Sequence, residues 1–358
     1  MTTLSALCNP GSPVAKFALT NLDFEYELAS PAGYRRPPVL EGLMRRWRWI
    51  LRLLPEAREA ECLEDFRSTD SLIAWGIGPR VATSDAFPSL EVVTKANDKR
   101  YSHQLEQQLG IALPHSQVVD SLESLSSCVK SCPFDWVLKH PLGFSARERV
   151  VGKVGVLSDS GLGWARRKFA QGWSLLFEPW VDDRQDFSLH FDLHQDGTGR
   201  YIGACQLLGD AGGVYRGNRV LPDWAPPSEV LACATQVVEE LASLGYWGPV
   251  GIDAFTGLLG GQPVRRPLLE INARYSFGRL TLALGEWVPE GWSYLWWHPS
   301  ASDAHRVPLG VTPLAGQNQA GFYALPCCAD PERGSGTVVA VAATSDELAV
   351  LEQSLTAA

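Results

Sequence analysis

Apolar and polar positions change their period several times along this chain, and each change marks an element. Residues 14–28 alternate in a way that predicts one or two strands, and a loop rich in proline and glycine follows over 31–38. Leu40, Leu43, Trp47, Ile50, Leu51 and Leu54 then recur at helical spacing. Arg45, Arg46, Arg48 and Arg52 lie among them, so this helix buries one stripe and solvates its arginines. Between residues 71 and 93 short apolar pieces are broken by Gly76, Gly78, Pro79 and Pro88, the closing edge of a first α/β unit. A second unit starts at Lys95, where a helix runs through Leu109 to a stop at Gly110. Residues 136–139 and 174–178 read as strands separated by a loop and a basic helix around 165–169. Further strands over 187–193 and 201–208, a helix over 228–244, and strands over 249–255 and 267–274 continue a mixed α/β chain. The tail from about Gly291 predicts one strand at 337–342 and one helix at 345–355.

Composition narrows the class. The 358 residues are 45% hydrophobic and 20% charged, enough for two or three packed units with a cleft between them. No stretch approaches the ~18 apolar residues of a membrane span, and the amino terminus lacks a basic patch and a long apolar block. A cytoplasmic protein without a membrane partner is therefore expected. With 31 Lys+Arg against 40 Asp+Glu, the net charge of -9 disfavours general binding to nucleic acid and favours small-molecule chemistry. Eight scattered cysteines read as reduced thiols, and neither Cys128/Cys132 nor Cys327/Cys328 has a second pair at zinc-ligand spacing. The seven histidines show no metal or triad spacing.

The informative segment is Leu268-Leu269-Glu270-Ile271-Asn272-Ala273-Arg274. On a strand, Glu270, Asn272 and Arg274 share one face and Leu269, Ile271 and Ala273 the other. Upstream, Val250-Gly251-Ile252-Asp253-Ala254 sets an isolated carboxylate in an apolar strand, where an unpaired charge would cost several kcal/mol. Two carboxylates and an amide oxygen on neighbouring strands make a hard oxygen site of the kind Mg²⁺ uses beside phosphates. An ion network with Arg265 or Arg274 would satisfy the same carboxylates. Lys139 ends a strand and precedes His140-Pro141-Leu142-Gly143-Phe144-Ser145-Ala146-Arg147, a loop whose amides and cations suit phosphate oxygens. Neither GxxxxGK[ST] nor GxGxxG after a strand is present.

The order of these pieces resembles the ATP-grasp superfamily: Asn97-Asp98-Lys99, Lys139 with its loop, Glu178-Pro179-Trp180-Val181, Asp253, then Glu270-x-Asn272-x-Arg274. By that resemblance Lys99 and Lys139 meet phosphates, Glu178, Trp180 and Val181 form the adenine hinge, and Asp186 takes the ribose. Asp253, Glu270 and Asn272 hold Mg²⁺, or Mn²⁺ in its place, and Arg274, Lys139 and Arg147 serve the reaction. The likeness covers about 95–284. It implies an α/β ATP-grasp fold with an N-terminal α/β lobe (1–94), a small subdomain with the lid loop (95–175), a large subdomain with the metal site (176–290), and a small C-terminal lobe (291–358) completing it. Gly251 replaces the arginine that D-alanine–D-alanine ligases carry two residues before the metal aspartate, and the lid lacks a run of glycines and serines, which gives Arg147 or Arg149 a larger part. The 270–278 segment looks closest to amino-acid and peptide ligases of specialised metabolism. The implied reaction forms an amide or peptide bond from a carboxylate and an amine through an acyl phosphate, with ATP giving ADP and phosphate. A homodimer is the assembly to test. The alternatives are a carboxylase activating bicarbonate, for which no Met-Lys-Met carrier motif is present, a ligase acylating a carrier-protein thiol, and a non-catalytic nucleotide-binding module.

Overall fold

Three short strands, β1 (Phe17–Leu19), β2 (Glu61–Leu63) and β3 (Leu72–Ala74), pair in parallel in the order β2-β1-β3 at the start of the computed structural model. The structure describes residues 15–30, 33–64, 71–82, 85–143, 148–210, 213–300, 302–308, 310–326 and 336–356. Where the sequence predicted a second strand, the chain forms helix α1 (Phe24–Ala29). The reason is local: Phe24 and Leu28 are four apart and both buried, and Phe24 N–H closes a turn onto the Asn21 carbonyl at 3.1 Å. The Asn21 side chain then pins this loop to Gly76, donating to its carbonyl at 2.7 Å and accepting from its N–H at 3.2 Å. A Cβ at Gly76 would lie 2.5 Å from the Phe24 ring, so only glycine permits that approach. Helix α2 (Pro38–Trp47) is shorter than the periodicity predicted, because Ile50–Leu53 tightens into a 3₁₀ turn that still buries Ile50, Leu51 and Leu53.

Helices α3 (Leu90–Ala96) and α4 (Lys99–Gln108) follow, with Asp98 capping α4 by accepting from Arg100 N–H at 2.8 Å. Gly110, at φ 68°, ends the turn after α4 as expected. Next come β4 (Gln117–Val119), α5 (Leu122–Ser131), β5 (Trp136–Lys139), β6 (Arg149–Gly152), α6 (Asp159–Ala170) and β7 (Leu175–Pro179). Their strands form an antiparallel sheet in the order β4-β7-β5-β6, filled by Trp136, Phe177, Leu138 and Leu175.

The largest sheet among the described residues has eight strands, in the order β12-β11-β8-β9-β10-β13-β15-β14. In chain order these are β8 (Asp182–Leu193), β9 (Gly199–Gly209), β10 (Tyr215–Val220), β11 (Gly248–Leu259), β12 (Gln262–Asn272), β13 (Ser293–Trp297), β14 (Gly321–Tyr323) and β15 (Val338–Ala342). Helix α7 (Ser228–Leu244) packs on β8, β11 and β12 through Val230, Val237 and Leu241. Helix α8 (Phe277–Ala283) covers β9 and β10, and α9 (Ser345–Thr356) covers β13 and β15 with Leu348 and Leu355. Strands β10, β13 and β14 have no counterpart in the sequence reading. One apolar core joins the first sheet to the largest, from Phe24 and Trp75 to Leu268, Ile271 and Trp296. No helix among the described residues is long and apolar enough to cross a membrane.

Candidate active site

A cleft of about 270 Å³ lies between the four-stranded and eight-stranded sheets, with Trp75, which follows β3, on its wall. Its polar centre follows from register. Asp253 on β11 and Glu270 on β12 are paired residues of an antiparallel ladder, so their side chains leave the same face. The ladder then shifts, since Phe255 pairs with Arg266, and β12 uses extra residues across the bulge. That shift corrects the expected faces: Leu269 lines the cleft beside Glu270, and Leu268 goes to the core. Strand β12 also ends at Asn272 rather than Arg274. Arg274 N–H folds back onto the Asn272 carbonyl at 2.9 Å, and it is this turn that delivers the guanidinium to the cleft. Glu25 of α1 then holds Arg274 Nε at 3.2 Å.

Burial, and then the neighbouring Glu270 charge, push the Asp253 carboxyl up to about 6, against hydrogen bonds from Ser188 and Asn272. Asn272 Nδ2 donates to Asp253 Oδ2 at 3.0 Å. Two carboxylates side by side, with an amide whose oxygen and nitrogen can exchange places, fit a hard divalent cation. No group of three His, Cys, Asp or Glu side chains is placed for a metal among the described residues, so a cation here needs ligand oxygens as well.

Lys99 opens α4, and its Nζ reaches Glu270 Oε1 at 2.8 Å and donates to the Gly143 carbonyl at 2.9 Å. Burial opposes its charge, but Glu270 and Glu25 outweigh burial and hold the ammonium pKa above the ordinary lysine value. Lys99 N–H also donates to the Pro141 carbonyl at 3.1 Å, so the base of the loop after β5 is tied to α4. His140 in that base packs on Trp173 at 4.6 Å and accepts from Leu142 N–H at 3.1 Å; burial pushes its pKa down to about 3 and keeps it neutral. Lys139, at the end of β5, sits 2.5 Å from Glu178. Burial and the charges of Arg266 and Arg184 lower the Lys139 pKa despite that partner.

The structure thus brings Lys99, Lys139, Trp180, Asp253, Glu270, Asn272 and Arg274 to one cleft, and it leaves three expected residues off the cleft wall. Glu178 is 1% exposed and bound by Arg266, which also holds Glu106 through two hydrogen bonds of 2.7 Å. Burial alone would raise the Glu178 pKa, but Arg266 and Lys139 outweigh it and hold the carboxyl well below its usual range. Val181 packs with Leu113, Phe255 and Leu259. Asp186 pairs with Arg184 at 2.6 Å on the wall of a neighbouring cavity of about 750 Å³, which shares Arg184 and Leu207 with the cleft. Arg147 lies outside the described residues. Sequence reasoning missed Val137, Leu269, Arg184 and Ser188. Alternation on β8 puts Arg184 and Ser188 on one face, so that signal was available, whereas nothing in the sequence brought Glu25 or Trp75 here.

No family model and no curated protein matches the chain. Solved structures do match. The biotin carboxylase domain of Hydrogenobacter thermophilus 2-oxoglutarate carboxylase, solved with MgADP, ADP and bicarbonate, is 12% identical at a TM-score of 0.57, covering 96% of this chain and 90% of that one. The N5-carboxyaminoimidazole synthetase of Staphylococcus aureus, solved with ADP, is 9% identical at 0.56, covering 97% of each chain. The L-amino acid ligase of Bacillus licheniformis is 11% identical at 0.52, covering 96% of this chain and 98% of that one. At these identities the likeness is one of architecture, and it agrees with the motif order over 95–284: the chain has the ATP-grasp fold.

Proposed function

We propose that the chain is an ATP-dependent ligase that joins a small carboxylate to an amine through an acyl phosphate, releasing ADP and phosphate. One observation carries this reading: Lys99 on α4, Lys139 on β5 and Arg274 in the turn after β12 converge with Asp253, Glu270 and Asn272 on a single cleft. Val137 and Leu269 offer apolar surface from opposite sheets for a base, with Trp180 beside them. Lys139 and Lys99 meet the phosphates as compact cations. Asp253, Glu270 and Asn272 would hold Mg²⁺ or Mn²⁺, which supplies charge neutralisation at the phosphates. Arg274 offers a planar cation where charge develops on the transferring phosphoryl and the substrate carboxylate. No side-chain nucleophile is needed, because the carboxylate attacks phosphorus and the amine then displaces phosphate from the acyl carbon.

Bicarbonate is the second acid to try, since the biotin carboxylase domain named above was solved with it. The test is product analysis after mixing ATP, Mg²⁺ and candidate acids with and without amines. The reading expects ADP and phosphate that depend on both an acid and an amine. Phosphate release with bicarbonate alone would favour the carboxylase, and AMP with pyrophosphate would contradict both readings.

A further inference from the structure

The Arg274 end of the cleft is walled by aromatic rings that a nucleotide does not account for. The apolar surface available to a base is at the other end, on Val137, Leu269 and Trp180, whereas Trp75, Tyr215 and Phe277 line the end that carries Arg274 and Ser276. They come from three places: Trp75 follows β3, Tyr215 opens β10, and Phe277 opens α8. In a parallel sheet ordered β2-β1-β3 the crevice lies beyond the carboxyl ends of the strands, which is where Trp75 and Glu25 stand. Trp75 is docked there by its carbonyl, which accepts from Tyr275 N–H at 3.0 Å.

The rings are fixed in place. Phe277 lies 5.3 Å from Trp75 and stacks on Tyr215 at 5.7 Å with an interplanar angle of 28°. The Tyr215 hydroxyl donates to Asn218 Oδ1, which locks that ring. The Arg274 guanidinium is 6.0 Å from the Trp75 ring and is held by Glu25. Trp75 is 1% exposed, so it backs Phe277, while Tyr215 and Phe277 are half-buried and present surface to the cleft. A planar cation for a carboxylate therefore stands beside preorganised rings. Aromatic side chains favour ring partners in offset or edge geometry over aliphatic groups of equal area.

We propose that the carboxylate substrate carries a planar aromatic group, seated against Tyr215 and Phe277 with its carboxylate toward Arg274. This rests on the ligase reading only for the orientation of the carboxylate. Matched acids with and without a ring test it: L-phenylalanine against L-alanine, and 3-phenylpropionate against propionate. Binding is read by calorimetry in the presence of a non-hydrolysable Mg-ATP analogue, and acyl-phosphate formation by hydroxamate yield with ATP and hydroxylamine. The ring-bearing acids should bind about tenfold tighter and give most of the hydroxamate, and Phe277→Leu should lower the ring-to-no-ring ratio by about the same factor. A merely structural role would weaken all four acids alike. Tyr215→Leu is the second variant, read the same way if Phe277→Leu does not fold. Equal or absent binding of the ring-bearing acids, or a ratio unmoved in a folded variant, overturns the proposal. Ring-selective binding with no hydroxamate from any acid would instead leave the subsite standing and remove the ligase reading. Hydroxamate from alanine and propionate alone would do the reverse.

Discussion

Glu270 faces two partners with one charge: it bonds Lys99 Nζ at 2.8 Å and stands opposite Asp253 in the ladder. Glu270→Gln keeps the shape but removes half of the paired negative charge, so it should lower ADP formation by about two orders of magnitude or more. The fold should remain, as judged by an unchanged circular dichroism spectrum and a melting temperature within a few degrees. Near-normal ADP formation would remove Glu270 from the site. This part of the cleft was legible in the sequence because period-two alternation puts a polar row on an apolar strand. Its neighbour Leu269 was misplaced for an equally local reason: the bulge between β11 and β12 changes which face a residue leaves, and alternation carries no sign of a bulge.

At the scale of elements, Arg266 ties α4 to β12 and β7. It holds Glu106 with two bonds of 2.7 Å and also holds Glu178, the partner of Lys139. The network is balanced, since Glu106 and Glu178 oppose Arg266 and Lys139, and a buried carboxylate stripped of its cation is strongly destabilising. The Glu178 pKa is held below its unfolded value of about 4.3, so its contribution to stability is present above that pH and fades as the pH falls through the folded value. Arg266→Leu should therefore lower stability by roughly 3–5 kcal/mol at neutral pH and move acid unfolding to a higher pH. Circular dichroism across an acid titration measures both, and an unchanged unfolding midpoint would contradict the network's role. None of this was readable beforehand, because Arg266 and Glu106 are 160 residues apart and Arg266 on β12 reads as an ordinary strand cation. Glu178 was expected at the adenine hinge for its place in a motif, and its burial depends on those distant partners. The 24–29 helix was missed differently: a short apolar run satisfies both periods, and the Asn21–Gly76 contact settles it only in the folded chain.

Among the described residues, three sheets and the helices between them set one cleft where the β2-β1-β3 sheet, the four-stranded sheet and the eight-stranded sheet meet. The order of Lys99, Lys139, Asp253, Glu270 and Asn272 along the chain was enough to expect this architecture, and the structural neighbours agree with it. The share of the β2-β1-β3 sheet and α1, Glu25 and Trp75, was not legible, because a wall built from a distant sheet leaves no spacing signal in the strands it faces. In the proposed reaction the γ-phosphoryl group passes to a substrate carboxylate inside this cleft. Transfer of ¹⁸O from a labelled carboxylate measures it most directly, because an acyl phosphate that is opened by an amine leaves one carboxylate oxygen on phosphate. Acyl-phosphate chemistry puts one ¹⁸O atom in each inorganic phosphate released alongside ADP. Unlabelled phosphate, or label appearing in AMP, would contradict it.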